Sequence, residues 1–192
     1  MRSPQSTAGS VSSPDAGEPA SAKRFREIYE AEFSYVWHSL RRMGVRGGDL
    51  EDLAHDVFVT AYRRHPDYDP TRPIRPWLFG IAFRTVADFR RRAHHSREVL
   101  EDEPTDVADG ALGADDRIAA QQDKKLLMDA LDTLDDGKRA VFVMHELNGH
   151  SAPEIALALD LPLNTAYSRL RLARAEVSIA VKRLVLQRGG VR

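Results

Sequence analysis

The apolar residues of this chain recur in steps of three and four and nowhere alternate, which restricts it to helices. From Phe25 the series runs through Ile28, Tyr29, Phe33, Val36, Leu40 and Met43. That is one stripe along a helix of about five turns. Gly47-Gly48 stops it, and Asp49 is the expected N-cap of a second helix whose inward residues are Leu50, Leu53, Ala54, Val57, Phe58, Ala61 and Tyr62. Pro66, Pro70 and Pro73 make residues 66–75 a loop. A third helix starts near Pro76, suited to a first-turn position, and runs to about Arg92.

A second series begins around Lys124 with Leu126, Leu127, Ala130, Leu131 and Leu134. Asp135-Asp136-Gly137 reads as a turn. Ala140, Val141, Val143, Met144 and Leu147 then form a helix ended by Asn148-Gly149. Ser151 and Glu154 have capping-box spacing ahead of Ile155, Ala156 and Leu159. Leu161-Pro162-Leu163 breaks that short helix, and Asn164 or Thr165 caps a long final one. The expected fold is all-α, with two small helical domains joined by a flexible acidic linker. Residues 1–22 form a disordered tail of Ser, Pro, Ala and Gly. The first domain spans 23–97, the linker 98–122 and the second domain 123–188.

Charge supports that division. The whole chain carries 28 Lys+Arg and 29 Asp+Glu, a net of -1. By segment it is +4 over residues 23–100, -7 over 101–123 and +3 over 124–192. Two mildly basic modules flank an acidic connector, a pattern that suits nucleic-acid-binding units and equally a solvated linker between ordinary domains. The absence of cysteine excludes disulfide scaffolds, thiolate metal sites and cysteine nucleophiles. The longest mostly apolar run, residues 76–83, falls far short of the ~20 needed to span a bilayer, and no secretory leader is evident. A cytoplasmic protein without membrane insertion is expected.

Residues 151–174 have the anatomy of a helix-turn-helix. In its second helix Ala166, Leu170, Ala173 and Val177 pack inward. Asn164, Thr165, Tyr167, Ser168, Arg169, Arg171 and Arg174 are left to face a major groove. Residues 164–188 carry a net charge of +5. The alternative is a helical hairpin with a solvated basic face.

The run Pro76-Trp-Leu-Phe-Gly-Ile-Ala-Phe83 is followed by Arg84, Arg90, Arg91 and Arg92. Leu78, Ile81, Ala82, Val86 and Phe89 already supply a core face, so Trp77, Phe79 and Phe83 cannot all share it. Aromatic surfaces beside guanidinium groups suit unstacked bases and single-stranded backbone. A thick core helix with an arginine tail would give the same pattern.

His145-Glu-Leu-Asn-Gly-His150 invites a zinc reading, but five helical residues turn about 500°, so the two imidazoles diverge. No metal, cofactor or catalytic grouping is expected, and no enzyme activity.

Together the modules resemble a bacterial RNA polymerase sigma factor of the extracytoplasmic-function group. Asp49-Leu-Glu-Asp-Leu-Ala-His-Asp-Val-Phe-Val-Thr-Ala-Tyr-Arg63 resembles the family's core-polymerase-binding helix. The stretch from Pro76 to Arg92 resembles the helix that opens the minus-ten element. Leu131 to Arg174 resembles the module that reads the minus-thirty-five element. The resemblance implies that Asp49, Glu51, Asp52, Asp56 and Phe58 bind core polymerase. It also implies that Tyr68, Ile74, Trp77, Phe83, Arg84, Arg90, Arg91 and Arg92 handle the single-stranded minus-ten element, with Tyr68 and Ile74 as apolar walls for a flipped base. Residues 164–174 would read the upstream duplex, and an anti-sigma factor is an implied partner.

The chain departs from the family pattern at four places. Arg84 replaces a frequent Asn, Gly80 a frequent basic residue, Tyr167 a frequent Lys or Arg, and Leu172 a frequent Arg. Two other readings stay open: a conventional LuxR-type regulator, which would need neither of the first two motifs, and a sigma-like decoy that only sequesters a protein.

Overall fold

The computed structural model describes residues 20–95 and 114–189, and all of its elements are helical among those residues. The first module holds α1 (Ala20–Arg42), α2 (Asp49–Arg64) and α3 (Ile74–His95), with a single 3₁₀ turn at His65–Asp67. The second holds α4 (Ala114–Leu131), α5 (Asp136–Phe142), a π-helical turn at Val143–Leu147, α6 (Ala152–Ala158) and α7 (Leu163–Gly189). Of the expected tail, residues 1–19 lie outside the described residues, and residues 20–22 instead open α1; of the expected linker, residues 98–113 lie outside them. Residues 114–122, assigned above to the linker, instead open α4, where Ala and Gln are good helix formers.

In the first module α1, α2 and α3 pack pairwise. Val36, Leu40, Leu53, Val57, Leu78, Phe79 and Ile81 are fully enclosed between them. Each such side chain contributes roughly 1.5–3 kcal/mol of transfer free energy. Above this core Tyr29, Phe33 and Phe58 stack, with Tyr29 and Phe58 centroids 4.7 Å apart in edge-to-face contact. In the second module α4, α5 and α6 all rest on α7 through Ala166, Leu170, Ala173 and Val177, the inward stripe the period predicts.

Local signals behave as polar chemistry requires, with adjustments at the ends. Asp49 is the first residue of α2 rather than its cap; Gly48 precedes it without a side-chain cap. Asp135 is not in a turn but caps α5, accepting from the Lys138 amide at 2.9 Å. The Glu154 carboxylate accepts from the Ser151 amide at 2.8 Å and from its hydroxyl at 2.6 Å. The turn between α6 and α7 places Asp160 at φ 54°, a left-handed conformation that Asp tolerates better than most residues, and α7 then begins at Leu163.

The two modules touch. α6 rests on α3, and a polar seam runs beside that contact. Asn148, just past the π turn, accepts from Arg42 Nη1 at 2.7 Å and donates to Tyr35 Oη and Ser39 Oγ at 3.3 Å each. Arg139 of α5 is buried, donating to the Arg42 carbonyl at 2.6 Å and to Asp132 at 2.7 Å. A cation is thereby set against the C-terminal carbonyls of α1, the end of the helix dipole that favours it. Gly44, at φ 93°, leaves room there; a Cβ would come within 2.9 Å of Arg139 Nη1.

Candidate nucleic-acid interface

The loop before α3 is held in place by its own residues. Asp69 accepts from the Thr71 amide at 3.0 Å and hydroxyl at 2.7 Å, and these bonds hold its carboxyl below the usual carboxylate range. Arg75 pairs with Glu32 at 2.8 Å and lies 5.3 Å over the Tyr35 ring, fixing the loop's end to α1. Tyr68 consequently leans on Trp77, centroids 4.8 Å apart, and donates to the Arg72 carbonyl. These two rings, with Arg72, Pro73 and Arg84, form one wall of a cleft of about 480 Å³. Its other wall is Pro153, Glu154 and Leu157 of α6.

Of the eight residues assigned to the single-stranded element, Tyr68 lies in the loop and the other seven are spread around α3. Trp77, Arg84 and Arg91 are seven apart and share its outer face, Trp77 half-buried and the arginines exposed. Phe83 and Arg90, themselves seven apart, are turned about 120–140° round the helix from Trp77. Phe83 packs on the core near Met43 and Val86, and Arg90 is turned to the Met43 carbonyl and the Asp136 carboxylate. Ile74 packs on the core rather than lining the cleft, where Trp77 and Pro73 supply the apolar surface beside Tyr68. Arg91 pairs with Asp88, one turn away, and Arg92 is exposed beside them. Phe79 settles the competition among the three aromatics by joining the core completely. Periodicity marks one face of a helix as buried, but it does not reveal that a second module covers part of the remainder.

On α2 the carboxylates of Asp49, Glu51, Asp52 and Asp56 are all exposed, three of them in the first turn. Phe58, assigned with them to a partner surface, is only 4% exposed and sits in the aromatic stack. It supports the helix from below.

On α7 the exposed residues of the N-terminal half include Asn164, Tyr167, Ser168 and Arg171, with Tyr167 54% exposed. Thr165 is half-buried. Arg169 folds back over Gly137 at the start of α5, where a Cβ would meet its Nη1 at 2.9 Å. Arg174 binds Glu146 at 2.6 Å. Leu172 is exposed on the same helix and was singled out in the sequence only as a departure from the family.

The seam between modules contains a histidine that the sequence offered only as a discarded metal ligand. His150 Nε2 lies 2.9 Å from Tyr35 Oη. That hydroxyl already accepts from Asn148, so the network is satisfied when Tyr35 donates to an unprotonated Nε2. Burial pushes the Tyr35 phenol up to about 12, so it stays a neutral donor. Burial, with Arg75 nearby, lowers His150 below its ordinary 6.5 against the pull of Glu154. A depressed histidine stabilises the fold above 6.5, and that contribution is lost as pH falls through its folded value. The melting temperature should therefore fall on mild acidification, and His150→Gln should remove part of that fall. An identical acid loss in both proteins, followed by calorimetry, would contradict the assignment.

No group of three or more His, Asp or Glu among the described residues is placed to hold a metal ion. No helix among them is long and apolar enough to cross a membrane.

Comparison with known proteins accounts for both modules. Residues 28–96 match the family "Sigma-70 region 2" and residues 124–177 match "Sigma-70, region 4". RNA polymerase sigma factor CnrH of Cupriavidus metallidurans is 34% identical over 145 residues, covering 72% of this chain and 76% of that protein. The chain belongs to the extracytoplasmic-function group of sigma-70 factors. ECF RNA polymerase sigma factor SigL of Mycobacterium tuberculosis is 29% identical over 174 residues, 90% of this chain and 94% of its own. The solved structure of CnrH in complex with the cytosolic domain of CnrY superposes with a TM-score of 0.62 at 27% identity, over 84% of this chain and 89% of that one. As a sigma factor the chain binds core RNA polymerase, recognises and melts promoter DNA and directs transcription initiation.

Proposed function

We propose that this sigma factor divides its work among three surfaces. The acidic first half of α2, with Asp49, Glu51, Asp52 and Asp56, docks on a basic face of core polymerase. The outer face of α3 and its loop, with Tyr68, Trp77, Arg84, Arg91 and Arg92, holds the opened minus-ten strand. The start of α7, with Asn164, Thr165, Tyr167, Ser168 and Arg171, reads the upstream duplex. The strand-holding module spans residues 23–97 and the duplex-reading module residues 123–188. The factor works in the cytoplasm, carries out no chemistry of its own and is governed by an anti-sigma factor, in keeping with CnrH having been solved with a protein partner's cytosolic domain.

The observation that carries this reading is the cleft, where an aromatic pair and Arg72 and Arg84 converge at the end of a fixed loop. Stacking on such rings is worth about 1–3 kcal/mol per base and tolerates any sequence. Opening is then driven by binding energy, not by a cofactor.

The upstream surface is tested by Tyr167→Ala and Arg171→Ala, alone and together. A base-reading contact should cost roughly 1–3 kcal/mol on the cognate duplex and almost nothing on a scrambled one. Equal losses on both, measured by fluorescence anisotropy with the polymerase-bound factor, would mean these side chains touch only phosphates and would remove them from the reading surface.

A further inference from the structure

The groove-facing end of α7 has an apolar edge that the packing does not use. Leu163, its first residue, is 42% exposed, and Tyr167 beside it is 54% exposed. The two are four apart, which makes them neighbours on the helix surface. At about 100° per residue, Leu163, Tyr167, Arg171, Asn164 and Ser168 fan in that order across about 140° of the helix. All five are exposed, and Ala166, Leu170, Ala173 and Val177 fill the core-facing side. One edge of the reading face is thus apolar, its middle is cationic and its far edge carries an amide and a hydroxyl. With Tyr167 in place of a frequent Lys or Arg, no charged side chain stands on the apolar edge in the first two turns of α7.

We infer that this edge reads thymine, with the C5-methyl group of one base seated against Leu163 and Tyr167. In the major groove every other group that distinguishes the bases is a hydrogen-bond donor or acceptor, and the thymine methyl is apolar. Leu163 offers nothing to a donor or acceptor, so a guanine or cytosine set against it would lose hydration without gaining a partner. The Tyr167 ring gives the methyl a flat apolar surface, and its hydroxyl at the tip is left for water or a phosphate. Arg171 in the middle suits guanine, and Asn164 toward the far side suits adenine. Tyr167 and Arg171 are about 6 Å apart along the helix axis, against about 3.4 Å per base pair. The thymine therefore falls within about two base pairs of the one that Arg171 reads. The inference rests on the assignment of α7 to the upstream duplex and adds to it the base that one edge selects.

The test uses the full chain bound to core polymerase and an upstream element selected by that complex from a randomised duplex. Each thymine of the element is replaced in turn by deoxyuridine, which lacks only the methyl group. One thymine should be sensitive, its replacement weakening binding about fourfold, the equivalent of one buried methylene. Tyr167→Ala and Leu163→Ala should each shrink that factor toward one, with circular dichroism as the folding control. Tyr167→Phe, which keeps the ring, should leave it in place. A selected element with no thymine near the position that Arg171→Ala affects would overturn the thymine reading. So would deoxyuridine that costs nothing anywhere, or a penalty that survives both alanine variants. If Arg171→Ala still erases the preference for the selected duplex over a scrambled one, α7 remains the reading helix and only this edge loses its role. If no α7 variant changes that preference, the assignment of α7 falls together with the thymine reading.

Discussion

Asp52→Arg combined with Asp56→Arg should abolish association with core RNA polymerase and, with it, factor-dependent transcription. The two carboxylates lie one turn apart on the exposed face of α2, and Leu53 and Val57 beside them carry the packing. Replacing both by arginine turns an attractive surface into a repulsive one. Like-charge juxtaposition at an interface costs several kcal/mol, a loss of about a hundredfold or more in Kd. The cost to the fold is much smaller. A cation in the first turn of a helix forfeits about 0.3–1 kcal/mol against the dipole, set against roughly 5–15 kcal/mol of total stability. A pull-down on immobilised core enzyme, with circular dichroism as the folding control, separates the two effects. Undiminished capture would remove α2 from the docking surface.

Phe79→Ala should be the most damaging single truncation in the first module, and Trp77→Ala, two residues away, one of the mildest for stability. Phe79 is fully enclosed among α1, α2 and α3, and emptying such a site costs about 3–5 kcal/mol. That is a large share of a typical domain's stability, so the variant should melt far below the parent or fail to accumulate. Trp77 is half-buried against Tyr68 at the mouth of the cleft. Its loss should leave the fold largely intact while reducing promoter opening, followed as permanganate reactivity of unpaired thymines at a promoter the factor uses. Comparable melting losses in the two variants would mean that Trp77 is a core residue and that the cleft has no aromatic platform of its own.

The contrast between these neighbours shows what the sequence discloses. Spacing identified Leu78, Ile81 and Val86 as core, and it showed that three aromatics were too many for one face. It could not choose Phe79 as the one that goes inside, because that depends on the space left between α1 and α2. The helix-turn-helix was readable because its signals are local: Ser151 with Glu154, Pro162, and the small residues that let α6 and α7 cross. Asp160 passed unnoticed, since a left-handed turn position is usually betrayed by glycine. The junction was not legible at all. Tyr35, Asn148 and His150 are more than a hundred residues apart in two cases and share no motif. Gly80 appeared in the sequence only as a departure from the family, and its meaning depends on a carbonyl contributed by another module. For the same reason the sequence groups Phe83 and Arg90 with Trp77 and Arg84, although α3 turns the two pairs toward different clefts.

The account is tested most directly by run-off transcription from genomic fragments of the source organism, with purified core RNA polymerase in the presence and absence of this chain. It predicts discrete transcripts that appear only with the chain, disappear with the Asp52→Arg, Asp56→Arg variant and weaken with Trp77→Ala. A folded chain that binds duplex DNA by itself and adds no transcript to core polymerase would contradict it.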